Sequence, residues 1–225
     1  MILAIDTSTD TTSVALYRPG DMVLAEQSWL GGREQTTQLL PNIQRLMSLV
    51  GANTSQIKGV AVATGPGSFS GVRIGLSTAK SMAYAMQIPI WGVPSLDVLA
   101  YQHAAVTAAQ VCAVLRMGRG RVAWALYRTR AARWERLSGY ENNTAEEMAQ
   151  SIQARESNMA TLFCGEISPE VAEAINEKMA NTASIAPPAS SLRRASYLAE
   201  IALQRSARGE TDDPATLQAV YLQPA

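Results

Sequence analysis

The chain opens with short apolar runs cut by polar clusters, and only later settles into helical spacing. MILAID reads as a strand, TSTDTTS as a turn rich in hydroxyls, and SVALYR as a second strand. A Pro19-Gly20 turn leads into a third strand, MVLAEQSW, which makes an antiparallel meander. In EQTTQLLPNIQRLMSLV the apolar period lengthens, with Leu39, Ile43, Leu46 and Val50 at helical spacing. Pro41 lies inside this pattern and either opens the regular part of the helix or kinks it, and Gly51 ends it. IKGVAVATG is a continuous apolar run, which predicts a strand buried on both faces. A glycine-rich loop follows, then a helix from about Val72 to Met86. IPIWGV adds a strand and PSLDVLAYQHA a further helix. This order predicts a mixed five-stranded sheet with helices on its faces.

Around Ala108 the pattern restarts. VCAVLRMG and RVAWALYRTR read as a hairpin turning at Gly118 to Gly120. TAEEMAQSIQA is helical, ATLFCG a strand, and SPEVAEAINEKMA a helix with Ser168 as its N-cap and Pro169 at its first position. IAPPASS breaks the chain, LRRASYLAEIALQRSARG is a helix closed by Gly209, and ATLQAVYLQPA ends extended. The pattern divides the chain into a first α/β unit, residues 1–107, and a second, smaller α/β unit, residues 108–189, with residues 190–225 packing back on the first.

At 225 residues and 47% apolar, the chain can bury a sizeable core. No apolar run approaches the ~20 residues of a membrane span. The N-terminus has no basic segment and meets an acid at Asp6, so it is read as the buried first strand of a cytoplasmic protein and not as a signal peptide. Lys plus Arg and Asp plus Glu both number 19, which argues against broad nonspecific nucleic-acid binding. The arginines are nevertheless clustered: Arg116, Arg119, Arg121, Arg128, Arg130, Arg133 and Arg136 have only Glu135 among them. They are read either as solvated strand faces or as an edge facing RNA phosphates. The two cysteines, Cys112 and Cys164, lie in apolar runs and read as buried thiols, with a disulfide or a catalytic thiol as the alternative. His103 is the sole histidine, too few for a histidine-based metal site.

Two stretches are candidates for chemistry. GPGSFSGVRIGLSTAKSMA follows a strand and opens a helix, where backbone N–H groups attract anions by ~0.3–1 kcal/mol. It is not a Walker A loop, since no Gly-Lys follows Gly65 and Gly67. It also misses the dinucleotide fingerprint by one residue, with Ser70 where the third glycine belongs and Gly71 one place late. In DTSTDTTS, a carboxylate follows a buried strand and precedes hydroxyls, an arrangement with which actin-like ATPases hold metal and phosphate. Asp6, Thr7, Ser8, Gly65, Gly67, Ser68, Gly71 and Arg73 therefore form the candidate nucleotide or anion set. On the other reading the glycines permit a tight strand-to-helix turn and Asp6 satisfies the N–H groups of its own turn. Ser68 or Ser70 as a peptidase nucleophile is the weakest option, because His103 sits on a separate helix.

The helices suggest a protein interface. Gly75, Ala79 and Ala83 make a smooth stripe on the second helix, beside Val72, Leu76, Met82 and Met86. The first helix has apolar residues on more than one face: Leu39, Leu40, Ile43, Leu46, Met47, Leu49 and Val50. A helix on a single sheet needs one stripe. The surplus is read either as an interface with another chain, formed by Leu39, Leu40, Ile43, Met47, Val72, Gly75, Leu76, Ala79, Met82 and Ala83, or as deep burial within the unit.

ILAIDTST, REQTTQLLP, GPGSFSGVRIGLSTAKSMA, VPSLDVLA and AVYLQ together resemble the bacterial TsaB (YeaZ) family, nearly end to end. The resemblance implies two actin-like (ribonuclease H-like) subdomains, the second smaller and degenerate. It also implies a non-catalytic subunit of the complex that places threonylcarbamoyl on adenosine 37 of tRNA. The family's partners are the paralogous transferase TsaD, which carries the metal-binding histidines and the nucleotide site, and the ATPase TsaE. Family members pair with TsaD through the first two helices and with themselves when alone. They meet tRNA indirectly through the complex. No catalytic residue, metal or required cofactor is implied, with ATP or ADP and Mg2+ at the partner junction as the open case. An actin-like ATPase or kinase acting through Asp6 and the Gly65–Gly71 loop is the alternative function. Three departures stand out: Gln35 where the family often has His, Arg116 to Arg121 where it shows an Asp-Ala-Arg-x-Gly-Glu type segment, and Gln223 where many members end in Tyr-Leu-Arg.

Overall fold

In the computed structural model, residues 1–20, 22–104, 107, 109–130, 133–155 and 159–223 are described, without the side chains of Ala104 and Arg133. In chain order the elements are β1 (Ile2–Asp6), β2 (Thr11–Arg18), β3 (Met22–Leu30), α1 (Gln35–Leu49), β4 (Gly59–Ala63), α2 (Phe69–Met86), β5 (Ile90–Val93), α3 (Ser95–Ala104), β6 (Gln110–Arg116), β7 (Arg121–Arg130), β8 (Arg133–Arg136), β9 (Glu141–Thr144), α4 (Ala145–Arg155), β10 (Thr161–Gly165), α5 (Pro169–Met179), β11 (Ala183–Ile185) and α6 (Ala195–Ala207). They form two compact units. The first comprises Met1–Val98 and Arg193–Val220, and the second runs from Leu99 to Leu192 and takes up the chain again at Tyr221. The division falls inside α3, not at 107/108, where Ala108 lies outside the described residues. Tyr221 to Gln223 group with the second unit, whereas the sequence placed the whole tail on the first.

The first unit is a five-stranded sheet in the order β3-β2-β1-β4-β5. β1 pairs antiparallel with β2 and parallel with β4. Alternate side chains of a strand point to opposite faces. Leu3, Ile5, Val14, Leu16, Val60 and Val62 therefore share one core with Leu39, Ile43, Leu46 and Met47 of α1 and Leu76, Ala79 and Ala83 of α2. Small residues on the other face, Ala4, Ala15 and Ala61, are fully buried where α6 crosses β1, β2 and β4. Each fully buried leucine or isoleucine contributes about 1.5–3 kcal/mol.

Ser68 caps α2 by accepting from the Gly71 N–H at 3.3 Å, so the helix starts at Phe69, earlier than the apolar spacing predicts. α1 runs continuously through Pro41. The tail shields the β5 edge. Asp212 bridges Ile90 and accepts the Gly92 N–H at 2.7 Å, while Arg205 donates to Asp212 Oδ2 at 2.9 Å and to the Gly92 carbonyl at 2.9 Å. Burial pushes the Asp212 carboxyl up, but these bonds outweigh it and hold the group below its ordinary range. Covering a sheet edge removes a template for unwanted strand pairing.

The second unit has a six-stranded sheet, β11-β10-β6-β7-β8, with β9 also on β7. α4 and α5 cover one face, packing Met148, Ile152, Val171 and Ile175 on Cys112, Val114, Trp124 and Phe163. The hairpin turns at Gly118–Gly120 as the spacing predicts, with left-handed φ at Gly118 (72°) and Gly120 (71°). Ser168 and Pro169 open α5 as predicted. β8, β9 and β11 go beyond the sequence reading. β9, in particular, is polar. It is a strand because Asn143 accepts the indole N–H of buried Trp124 at 3.0 Å and Asn142 accepts Arg121 Nε at 3.1 Å.

Cys112 and Cys164 are both free and fully buried, which excludes the disulfide and the catalytic thiol. Burial pushes both thiols well above their ordinary range. The native chain is expected to leave a thiol reagent unreacted, and both thiols to titrate after denaturation. Prompt reaction of the native chain would contradict this burial.

Candidate functional site

The two loops singled out by sequence meet in the first unit. β1 delivers Asp6 to the edge of the core, 1% exposed. Its Oδ1 accepts the Ser8 N–H at 2.8 Å and the Ser8 hydroxyl at 2.6 Å. Its Oδ2 accepts Nε of Arg193 at 3.0 Å, and Arg193 Nη2 also donates to the Thr9 hydroxyl. Thr7 donates its hydroxyl to the Gly71 carbonyl at 2.7 Å. The Ser68 N–H donates to the Ser8 carbonyl at 2.6 Å, so the glycine loop and the first turn are tied backbone to backbone.

The glycines serve that contact. A Cβ on Gly67 would stand 1.9 Å from the Ser8 carbonyl oxygen, and one on Gly71 2.2 Å from the Thr7 carbonyl oxygen. One on Gly75 would stand 2.3 Å from the Thr7 hydroxyl oxygen. Gly65 adopts a φ of 91°, in the left-handed region that glycine tolerates. The room left by the absent side chains is thus filled by the chain itself. Gln35 locks the assembly from the side: its Nε2 lies 2.6 Å from the Thr9 carbonyl and 3.0 Å from the Thr12 hydroxyl oxygen. Of the predicted nucleotide set, Asp6, Thr7, Ser8, Gly65, Gly67, Ser68 and Gly71 converge as a closely packed junction of the two loops. Arg73 is exposed and stacks over Phe69 at 3.7 Å. The reading by sequence missed Arg193, Thr9 and the role of Gln35. The signal for Arg193 was the Arg193-Arg194 pair directly after a proline break.

The predicted interface set also needs correction. Leu39, Ile43, Met47, Val72, Leu76, Ala79 and Ala83 are buried within their own unit, and Gly75 abuts Thr7. The Gly75-Ala79-Ala83 stripe exists, but it lets α2 lie close on its own sheet. Met82 is partly buried against the same core. Only Leu40 of that set is exposed, and sequence gave no way to tell it from its neighbours. Leu49, Phe69 and Tyr84 join it as large exposed apolar residues on α1 and α2.

In the second unit several of the clustered arginines have local partners. Arg121 bonds Asn142, Arg130 lies 3.7 Å from Glu135, and Arg136 stacks over Tyr140 at 4.0 Å. The side chain of Arg133 lies outside the described residues. Buried His103 sits 3.3 Å from the Gln102 amide nitrogen, and its pKa is lowered chiefly by burial, against a bond to the Ser190 backbone. No group of three or more His, Cys, Asp or Glu residues suited to a metal ion occurs among the described residues. None of the described helices is long and apolar enough to cross a membrane.

Two α/β units, each a mixed sheet with helices laid against it, place the chain in the actin-like (ribonuclease H-like) class. The fold superposes on YeaZ from Pseudomonas aeruginosa with a TM-score of 0.82 and 26% identity, over 98% of this chain and 99% of that one. The family model described as "TsaD: tRNA N6-adenosine threonylcarbamoyltransferase" matches residues 30–224, and the chain belongs to that family, on its TsaB/YeaZ side. It is 37% identical over 127 residues to the tRNA threonylcarbamoyladenosine biosynthesis protein TsaB of Escherichia coli (strain K12), covering 56% of this chain and 54% of that protein. It is 39% identical over 99 residues to TsaB of Bacillus subtilis (strain 168), covering 44% and 43%. The chain thus spans about half the length of the curated relatives it matches.

Proposed function

We propose that the chain is a non-catalytic subunit of the cytoplasmic machinery that makes threonylcarbamoyladenosine in tRNA. It supports a TsaD-type transferase together with a TsaE-type ATPase, and forms a homodimer when alone. The observation that carries this reading is the family match across residues 30–224 on a chain whose first-strand carboxylate is already consumed by an internal arginine. The relatives' names supply the pathway, and the occupied carboxylate supports an accessory role within it. Arg121, Arg130 and Arg136 of the second unit are engaged by local partners, which supports contact with tRNA through the complex and not through this cluster.

The surface offered to the transferase is the exposed side of α1 and α2. Leu40 is 57% exposed, Leu49 70% and Tyr84 81%. Large apolar side chains left in solvent gain most from being covered by a partner, and an interface of standard size buries ~1,600 Å² in total. The double variant Leu40→Asp/Tyr84→Asp is expected to keep the thermal midpoint of the parent and to lose co-elution with the TsaD-type protein. Threonylcarbamoylation by the reconstituted mixture should fall with it. A folded double variant that still co-elutes and supports full modification would count against this surface and this role.

A further inference from the structure

We infer that Arg193 is the resident cation of the Asp6 pocket, standing where an actin-like ATPase would hold its metal ion and phosphate. The pocket does not fit those groups. A divalent cation takes oxygen ligands such as a carboxylate and hydroxyls, and Asp6, Ser8 and Thr9 are such a set. Here Ser8 and Arg193 engage the two Asp6 oxygens, and Arg193 holds the Thr9 hydroxyl as well. The ion pair is sealed, with side-chain exposures of 4% for Arg193 and 1% for Asp6. The approach a phosphate would need across Gly67 and Gly71 is filled by the carbonyl oxygens of Ser8 and Thr7.

Arg193 also fixes α6. The next residue, Arg194, donates to Glu26 Oε2 through Nε at 2.8 Å and Nη2 at 2.6 Å. Glu26 Oε1 accepts the Ser196 N–H at 2.9 Å, and Ser13 accepts the Ala195 N–H at 3.0 Å. α6 has no side-chain cap of its own, so groups on β2 and β3 satisfy its first N–H donors. The guanidinium that closes the pocket is thus the start of the clamp that seats this helix on the sheet.

The test uses the full chain. Arg193→Ala is expected to lower the thermal midpoint by roughly 8–15 °C, because it leaves a buried carboxylate without its partner. Millimolar methylguanidinium should restore part of that loss, while methylammonium should not. Asp6→Asn should cost a similar amount, and the Asp6→Asn/Arg193→Ala double variant clearly less than the sum of the two. Should Arg193→Ala fail to fold, Arg193→Lys substitutes for it: the charge stays but the fork that reaches Thr9 is lost, and a lowered midpoint is again expected. Calorimetry of the parent chain with ATP and Mg2+ should give no heat lost on Asp6→Asn. Additive single effects, absence of guanidinium-specific rescue, or Asp6-dependent ATP binding by the parent would each overturn the assignment.

Discussion

Ala79→Arg is expected to abolish the folded chain, not merely a contact with a partner. Ala79 is 0% exposed on α2, between Gly75 and Ala83 and over the strands of its own sheet. A longer side chain has no room there, and a guanidinium has no acid to meet among the residues of that core. Removing an unpaired ion from water costs several kcal/mol, and overpacking adds roughly 1–3 kcal/mol. The sum is comparable with the ~5–15 kcal/mol that hold a domain together. The measurement is soluble yield and the cooperative thermal transition followed by circular dichroism. Tyr84→Arg is the control. At 81% exposure on the same helix, it should stay within about 0.5 kcal/mol of the parent. An Ala79→Arg chain with a normal transition would mean that the stripe faces outward, and would return the close-packed face of α2 to the interface.

The second large effect is expected of Gly71→Ala, where two contributions oppose each other. In an exposed helix the change would stabilise by up to ~1 kcal/mol through helix propensity. At Gly71 the new methyl would sit 2.2 Å from the Thr7 carbonyl oxygen and 3.0 Å from Gln35 Oε1. The first neighbour is backbone, one residue past β1 and held by the Thr7 hydroxyl bond to the Gly71 carbonyl. It cannot rotate away, so α2 must lift from the turn. We expect a net loss of about 2–4 kcal/mol, in the range of strain at a tightly packed backbone site. Denaturant midpoints of the variant and parent check this. Gly139→Ala, where nothing lies within 4 Å, is the control and should be nearly neutral. A neutral or stabilised Gly71→Ala would show that the loop contact is loose, and would reopen the space above it to a ligand.

These outcomes bear on function because, on the reading proposed above, the close approach that makes the sites intolerant would also leave no room there for a nucleotide. In actin-like folds glycine near a phosphate admits the ligand. Here Gly67 and Gly71 admit the backbone of the first turn. Residue type alone could not separate these uses, since both require the absence of Cβ and both place the loop between a strand and a helix.

Much of the fold was legible because it rests on local periodicity. The continuous run at β4, the short apolar runs of β1 and β2, the serine cap and proline opening of α5 and the glycine turn between β6 and β7 each follow from residues near in sequence. β9 was not legible. Its Glu-Asn-Asn-Thr has no apolar signal, and its pairing is fixed by a tryptophan and an arginine on another strand. Pro41 does not open α1, which starts at Gln35 and runs on through it, with four buried apolar side chains holding the helix to the sheet.

The sequence by itself determined most of the elements, the family resemblance and many of the residues at the loop junction, because these depend on spacing along the chain. Only the tertiary structure decided which side of each helix was already covered. It turned the Gly75-Ala79-Ala83 stripe inward, left Leu40 and Tyr84 outside, and brought Arg193 across 187 positions to Asp6. Burial and ion pairing are properties of three-dimensional neighbours, and no periodicity encodes a neighbour that distant.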